Sequence, residues 1–305
     1  MKSNVLKKFF SYPLAVAALL VLCFYVATAI GFEIYSVYCS ANGIEPSYAE
    51  SNQQAIYAPP APEHIFGTDY QGRDVFLRTL AGSASALKVG LISGAIALAT
   101  GVFLGVISGY YGGKVDDFTV WLYSTFAAMP TLLFILAFAL LATQGFLSPA
   151  LQKILQSCAT MLNTSCGMLG VYLAIGLTGW VTICRVIRGE TMKLKNMAYI
   201  SAAKVAGVSE FKIIMVHILP NVFHLAIIYF TTLFANAVML EVIVSYLGLG
   251  SQNMPSWGVM ISDGQSRLWN GFWWEITFAS GALMLLVLAL NILGDSLRDA
   301  MDPRK

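Results

Sequence analysis

The sequence predicts an all-α integral membrane protein with six membrane-spanning helices, and three observations carry that prediction. Of its 305 residues, 57% are hydrophobic and only 11% are charged, where soluble domains run near ~25% charged. The charges cluster, leaving stretches of about 20 residues nearly free of Asp, Glu, Lys and Arg, the length that crosses a hydrocarbon core of ~30 Å as a helix. The Lys and Arg residues also fall unevenly on the two sides of the membrane those stretches define.

The spans are read at 13–32, 86–109, 118–142, 168–187, 221–246 and 276–295. An even number puts both termini on one side. That side carries Lys2, Lys7, Lys8, Lys114, Arg185, Arg188, Lys193, Lys195, Lys204, Lys212, Arg298, Arg304 and Lys305, thirteen of the eighteen Lys and Arg residues. The other side holds Arg73, Arg78, Lys88, Lys153 and Arg267. The positive-inside rule therefore places both termini and the 189–220 loop in the cytoplasm.

The first apolar stretch is long for a signal peptide and lacks a small-residue cleavage site before Glu33, so a retained anchor is the favoured reading. The second span carries Gly90, Gly94, Gly101, Gly105 and Gly109, a small-residue stripe that lets another helix approach closely. Between the first two spans lies a polar external loop dense in turn residues around Gly67 to Asp74. Trp257, Trp269, Phe272, Trp273 and Trp274 read as an interfacial aromatic belt rather than a ligand cage.

A net charge of +2 and the lack of a long basic run argue against nucleic acid as a partner. Cys23, Cys39, Cys158, Cys166 and Cys184 form no metal-binding spacing. Cys158 and Cys166 are a candidate disulfide if their face is oxidising, although two free thiols is the favoured state. Glu241 and Asp295 are the candidate gating or structural acids. Glu241 stands alone in the fifth span, without the second carboxylate a proton carrier would need.

The 189–220 loop holds the chemistry of most interest. Residues 193–206 favour helix, Gly207 can close it in the left-handed conformation, and Ser209 with Glu210 can open a second short helix that runs toward Pro220. Val208, Phe211 and Ile214 then stand beside Lys204 and Lys212. Such a helix pair suits a groove on a partner protein, and it equally suits the lipid headgroups.

Here the sequence resembles the inner-membrane permeases of ABC importers, whose signature runs Glu-Ala-Ala, then Gly four positions on, and ends Leu-Pro. Ala202, Ala203, Gly207, Leu219 and Pro220 hold those positions, with Ser201 in place of the Glu and His217 in place of an apolar residue. The segments at 59–80, 109–118, 244–261 and 294–304 are similar to the second permease of the peptide and nickel branch. The third span has Trp121 and Ser124 where that family often has Arg and Asp, which leaves it without a charge pair near the cytoplasmic end.

The resemblance implies the six-helix type I ABC importer permease fold with a cytoplasmic coupling-helix loop. The coupling contact would centre on Ala202, Ala203, Gly207, Val208, Phe211, Leu219 and Pro220. It divides the chain into an anchor and periplasmic loop (1–85), a permease domain (86–297) and a cytoplasmic tail (298–305). It also implies a bacterial inner-membrane complex with a second homologous permease, two cytoplasmic ATPases and a periplasmic or lipid-anchored substrate-binding protein.

Peptide is the expected cargo; nickel, another small solute or ion-coupled transport are the alternatives. The chain has no GxxxxGK[ST] phosphate loop, and its nearest fragment, Gly112-Gly113-Lys114, continues into Val115. The expectation is therefore no cofactor on this chain, with ATP and Mg held by the partner ATPases.

Overall fold

The computed structural model describes residues 9–144, 147–250 and 255–301. The charges at Lys2, Lys7, Lys8, Arg304 and Lys305, and the 251–254 part of the 244–261 motif, lie outside the described residues. Among the described residues the secondary structure is helical apart from two isolated β-bridges in the 43–74 loop, Ala61 with His64 and Thr68 with Asp74.

The helices in chain order are α1 (Pro13–Asn42), α2 (Val75–Tyr111), α3 (Gly113–Ala128), α4 (Thr131–Thr143), α5 (Pro149–Met161), α6 (Cys166–Leu194), α7 (Ala198–Val205), α8 (Glu210–Leu249), α9 (Trp257–Gln265) and α10 (Trp274–Met301). Five of them, α1, α2, α6, α8 and α10, are long and apolar enough to cross a membrane. The pair α3 and α4, bent by 87°, makes a sixth if the two are counted together as one span.

That bend interrupts the stretch read as a span at 118–142. Pro130 lacks an amide hydrogen and pushes the preceding residue out of the helical region. Met129 is accordingly extended, at φ −79° and ψ 135°.

Two further boundaries differ. α2 starts at Val75, well before residue 86, because the Asp74 carboxylate accepts a hydrogen bond from the Leu77 amide at 3.1 Å and caps the helix. Ser209 opens no separate short helix. It has the extended conformation of an N-cap without a side-chain cap bond, and the helix from Glu210 runs unbroken past Pro220. Pro220 is absorbed by a widened, π-type turn over Ile213–Ile218, in which the Leu219 amide reaches back to the Ile214 carbonyl.

The glycine stripe places α2 at the centre of the bundle, against two neighbours. A Cβ on Gly90 would sit 2.3 Å from the Phe234 ring, and one on Gly94 would sit 2.6 Å from the Phe230 ring, both on α8. Further along, a Cβ on Gly105 would meet the Cys184 carbonyl at 2.9 Å and one on Gly109 the Arg188 carbonyl at 2.7 Å, both α6 backbone. At 3.6 residues per turn the stripe drifts by about 100° from Gly90 to Gly109, which hands the contact from α8 to α6.

With the backbones this close, the buried Ser93 hydroxyl donates to the Tyr172 carbonyl at 2.8 Å. Gly105→Leu would force α6 away, an overpacking cost of about 1–3 kcal/mol or more. The expected result is a clear fall in the melting temperature of the detergent-solubilised protein. Gly31→Leu, at a position where a Cβ meets nothing within 4 Å, should change it little.

Candidate functional site

At the end of the bundle that carries the α2–α3 and α6–α8 connections, the chain builds a compact loop. α7 ends on Ala206, and Gly207 takes φ +77°. The Gly207 amide donates to the Lys204 carbonyl at 3.0 Å and the Val208 amide to the Ala203 carbonyl at 3.1 Å. This pair of bonds is a Schellman turn, which satisfies carbonyls that the helix end would otherwise leave open. A Cβ at Gly207 would meet nothing within 4 Å, so glycine is required there by conformation and not by space.

Part of the loop is anchored and part is exposed. Ile200 is fully buried in a cluster with Val106 and Tyr110 of α2, Ile183 and Ile187 of α6, and Ile213 and Ile218 of α8; Ala203, Val208 and Leu219 pack at its edge. Lys204 lies over the Tyr110 ring at 5.0 Å, and the Lys195 ammonium donates to the Tyr110 carbonyl at 3.3 Å. Val205 is 92% exposed and Phe211 70% exposed, with Ala202 also exposed; Phe211 borders an apolar recess of about 660 Å³ with Val102, Phe103, Val106 and Tyr111 of α2. Of the residues singled out in the sequence, Ala202 and Phe211 are therefore exposed, while Ala203, Val208 and Leu219 hold the loop down. Ser201 is exposed and its hydroxyl reaches only back to the Met197 carbonyl, at 3.5 Å.

Ile200 was not singled out from the sequence. Its signal is its place on α7, opposite the exposed positions, as the one large aliphatic residue on that side.

The charge pair expected to be missing at this end is supplied by other residues. Arg188 of α6 makes a two-pronged bond to Asp116 of α3, with Nη2 donating to Oδ2 at 2.6 Å and Nε donating to Oδ1. Arg185 lies over the Tyr123 ring at 4.7 Å and strengthens the same seam. The Gly112-Gly113 fragment is the turn between α2 and α3, with φ +69° and +53°.

The two candidate acids differ in setting. Glu241 is buried, and its Oε1 accepts from the Ser245 hydroxyl at 2.7 Å and the Ser256 hydroxyl at 2.9 Å. Ser256 caps α9, so Glu241 ties α8 to α9. Asp295 is exposed in a mixed polar and apolar recess of about 560 Å³ with Glu190, His224 and Arg298, between α6, α8 and α10. Cys158 and Cys166 are free thiols, exposed on α5 and half-buried at the start of α6.

At the other end of the bundle the 43–74 loop folds around Asp69. Its buried carboxylate accepts from the Gln71 and Arg73 amides at 2.8 and 2.9 Å, from Arg73 Nε at 2.7 Å and from Arg78 Nη1 at 2.9 Å. Asp263 sits nearby, its carboxyl pushed up by burial and pulled down by Arg267, Arg78 and Arg73.

The aromatic belt expected at this end is only partly one. Trp269 is 93% exposed, but Trp257 and Trp274 are buried pins whose indole N–H groups donate to the Thr79 and Thr68 carbonyls, each at 2.8 Å. Phe272 stacks on Tyr57 at 4.2 Å. A buried indole needs an acceptor, and the capped start of α2 and the folded loop provide one each.

Arg188→Met would leave the Asp116 carboxylate half-buried without its partner. The expected loss is about 1–3 kcal/mol of stability, read as a lower melting temperature. Adding Asp116→Leu should restore part of it; a double variant no better than the single one would show that the pair is not the source of the loss.

Comparison with known proteins follows the same lines. The model of the family described as binding-protein-dependent transport system inner membrane component matches residues 101–305. The chain is similar to the dipeptide transport system permease protein of Bacillus subtilis, 33% identical over 95% of this chain and 82% of that one. The oligopeptide transport system permease protein of Haemophilus influenzae is 32% identical over 98% and 87%. The glutathione transport system permease protein of Pectobacterium atrosepticum is 31% identical over 98% and 89%. With the family model covering two thirds of the chain and relatives aligned along nearly its whole length, this multi-pass membrane protein belongs to the binding-protein-dependent transport system inner membrane component family, the permease part of ABC importers and not itself an enzyme.

Proposed function

We propose that this chain is the permease subunit of a peptide importer and forms half of the translocation path, paired with a second, unlike permease. The observation that carries the coupling half of this reading is the loop at α7. It is seated through Ile200 and closed by the Gly207 turn, yet it leaves Ala202, Val205 and Phe211 exposed. An apolar knob held by a stiff base suits a groove on an ATPase, and the same base joins it to α2, α6 and α8. Movement of the knob would then move the bundle.

In this reading both termini and the loop face the cytoplasm, and the chain sits in a bacterial inner membrane. ATP and Mg are bound and hydrolysed on two ATPase partners, and a substrate-binding protein delivers cargo from outside. Closure of the ATPases shifts the population between inward-open and outward-open bundles. Peptide as cargo is supported by the dipeptide, oligopeptide and glutathione permeases to which the chain is similar. Coupling without the family's Glu rests on apolar contact, since Ser201 adds no charge at that position.

The test is reconstitution with the partner permease, ATPases and binding protein in proteoliposomes. ATP should drive uptake of labelled trialanine, and an ion gradient alone should not; the reverse result would sink the reading. Gly207→Val puts a β-branched residue at a left-handed position, at a cost of about 1–2 kcal/mol or more. It is expected to insert normally and keep ATP hydrolysis while losing most uptake, and unchanged uptake would remove the loop from the mechanism.

A further inference from the structure

The break between α3 and α4 lies deep in the membrane. α6 runs from Cys166 to Leu194 with Trp180 at its midpoint, and the Phe126 ring meets the Trp180 ring edge-on at 5.8 Å between centroids. Met129 and Pro130 are within four residues of Phe126. The break is therefore at about the level of the middle of a spanning helix, remote from either membrane surface.

It also faces away from this chain's own bundle. Residues 127–133 are all exposed, with Met129 42% and Leu133 64% exposed. The backbone there is open as well. α4 begins at Thr131 with no side-chain cap, so the amides of Thr131, Leu132 and Leu133 have no partner within the helix. The Met129 amide turns to the Phe126 carbonyl at 3.2 Å and the Phe134 amide to the Pro130 carbonyl at 3.1 Å. The carbonyls of Ala127 and Ala128 lose the amides that an unbroken helix would have brought to them.

Lipid tails offer such groups nothing, and irregular backbone at membrane depth is tolerated only where protein or water satisfies it. An intact helix from a second permease would have to answer them with polar side chains, because its own backbone groups are already paired. Water supplies both donors and acceptors.

We propose that the face from Ala127 to Leu133 lines the water-filled translocation path. This rests on the import reading above and assigns that path to named residues. The path then runs along the α3–α4 break at mid-membrane, walled by the side chains of Met129, Pro130, Leu132 and Leu133.

The experiment uses the complete, transport-competent complex in proteoliposomes with Cys23, Cys158 and Cys166 of this chain replaced by Ser; the buried Cys39 and Cys184 are kept. Met129→Cys, Thr131→Cys and Leu132→Cys are each compared with Leu20→Cys, which lies on an α1 surface that is 66% exposed. The probe is a membrane-impermeant sulfonated methanethiosulfonate, which reacts with thiolate and so only where water reaches.

At least two of the three break positions should react about 10-fold faster than the α1 position or more, and addition of ATP with peptide-loaded binding protein should change their rates. Reaction no faster than at Leu20→Cys, in variants that still import trialanine, would overturn the inference while leaving the import reading intact. Absence of ATP-driven uptake in the complex before any substitution would overturn the import reading instead.

Discussion

The bundle depends on the approach of α2 to α6 and α8 without intervening side chains. In a membrane there is little hydrophobic drive between helices, so close van der Waals contact and interhelical hydrogen bonds must hold them. Gly101, Gly105 and Gly109 bring α2 onto the α6 backbone, and Gly90 and Gly94 admit the Phe234 and Phe230 rings of α8. Every other element is positioned from that core. α4 and α3 follow α6, α1 and α10 close the far side, and the α7 loop is seated across the adjoining ends of α2, α6 and α8.

Each end of the core carries a different device for holding loops. At the end near the 43–74 loop a buried carboxylate, Asp69, gathers two backbone amides and two guanidinium groups, and two buried tryptophans pin neighbouring carbonyls. At the end near α7 the work falls to Ile200, the Tyr110 ring and carbonyl, and the Arg188–Asp116 pair. Both layers remove backbone polar groups from exposure through a specific partner, which a loop lying next to lipid requires. Among the described residues, the α3–α4 break is a place where this rule is not met from within the chain.

Much of the candidate site was legible in the sequence because it depends on local backbone geometry. Gly207 after an alanine-rich helical run, with an apolar residue next, is the pattern of a left-handed helix close, and Gly207 has a positive φ. The break at Pro130 follows from its ring chemistry but was not read from the sequence. Ile200 was harder to see: its burial depends on which way α7 rolls against α2 and α8, and eight residues are too few to show a clear apolar face. The Arg188–Asp116 pair joins residues 72 apart in sequence, so no spacing rule exposes it.

By itself, the sequence determined the membrane class, the approximate places of the long apolar helices, the helix-closing glycine and the family resemblance. These follow from transfer energies and backbone preferences that each segment carries wherever it sits. Tertiary structure alone decided which glycine meets which helix, that Trp257 and Trp274 are pins and not belt, that Asp116 answers Arg188, and that the α3–α4 break faces outward. Those outcomes depend on which surfaces meet across the bundle, and an 87° turn or a single buried isoleucine gains its meaning only from the neighbours it faces or lacks.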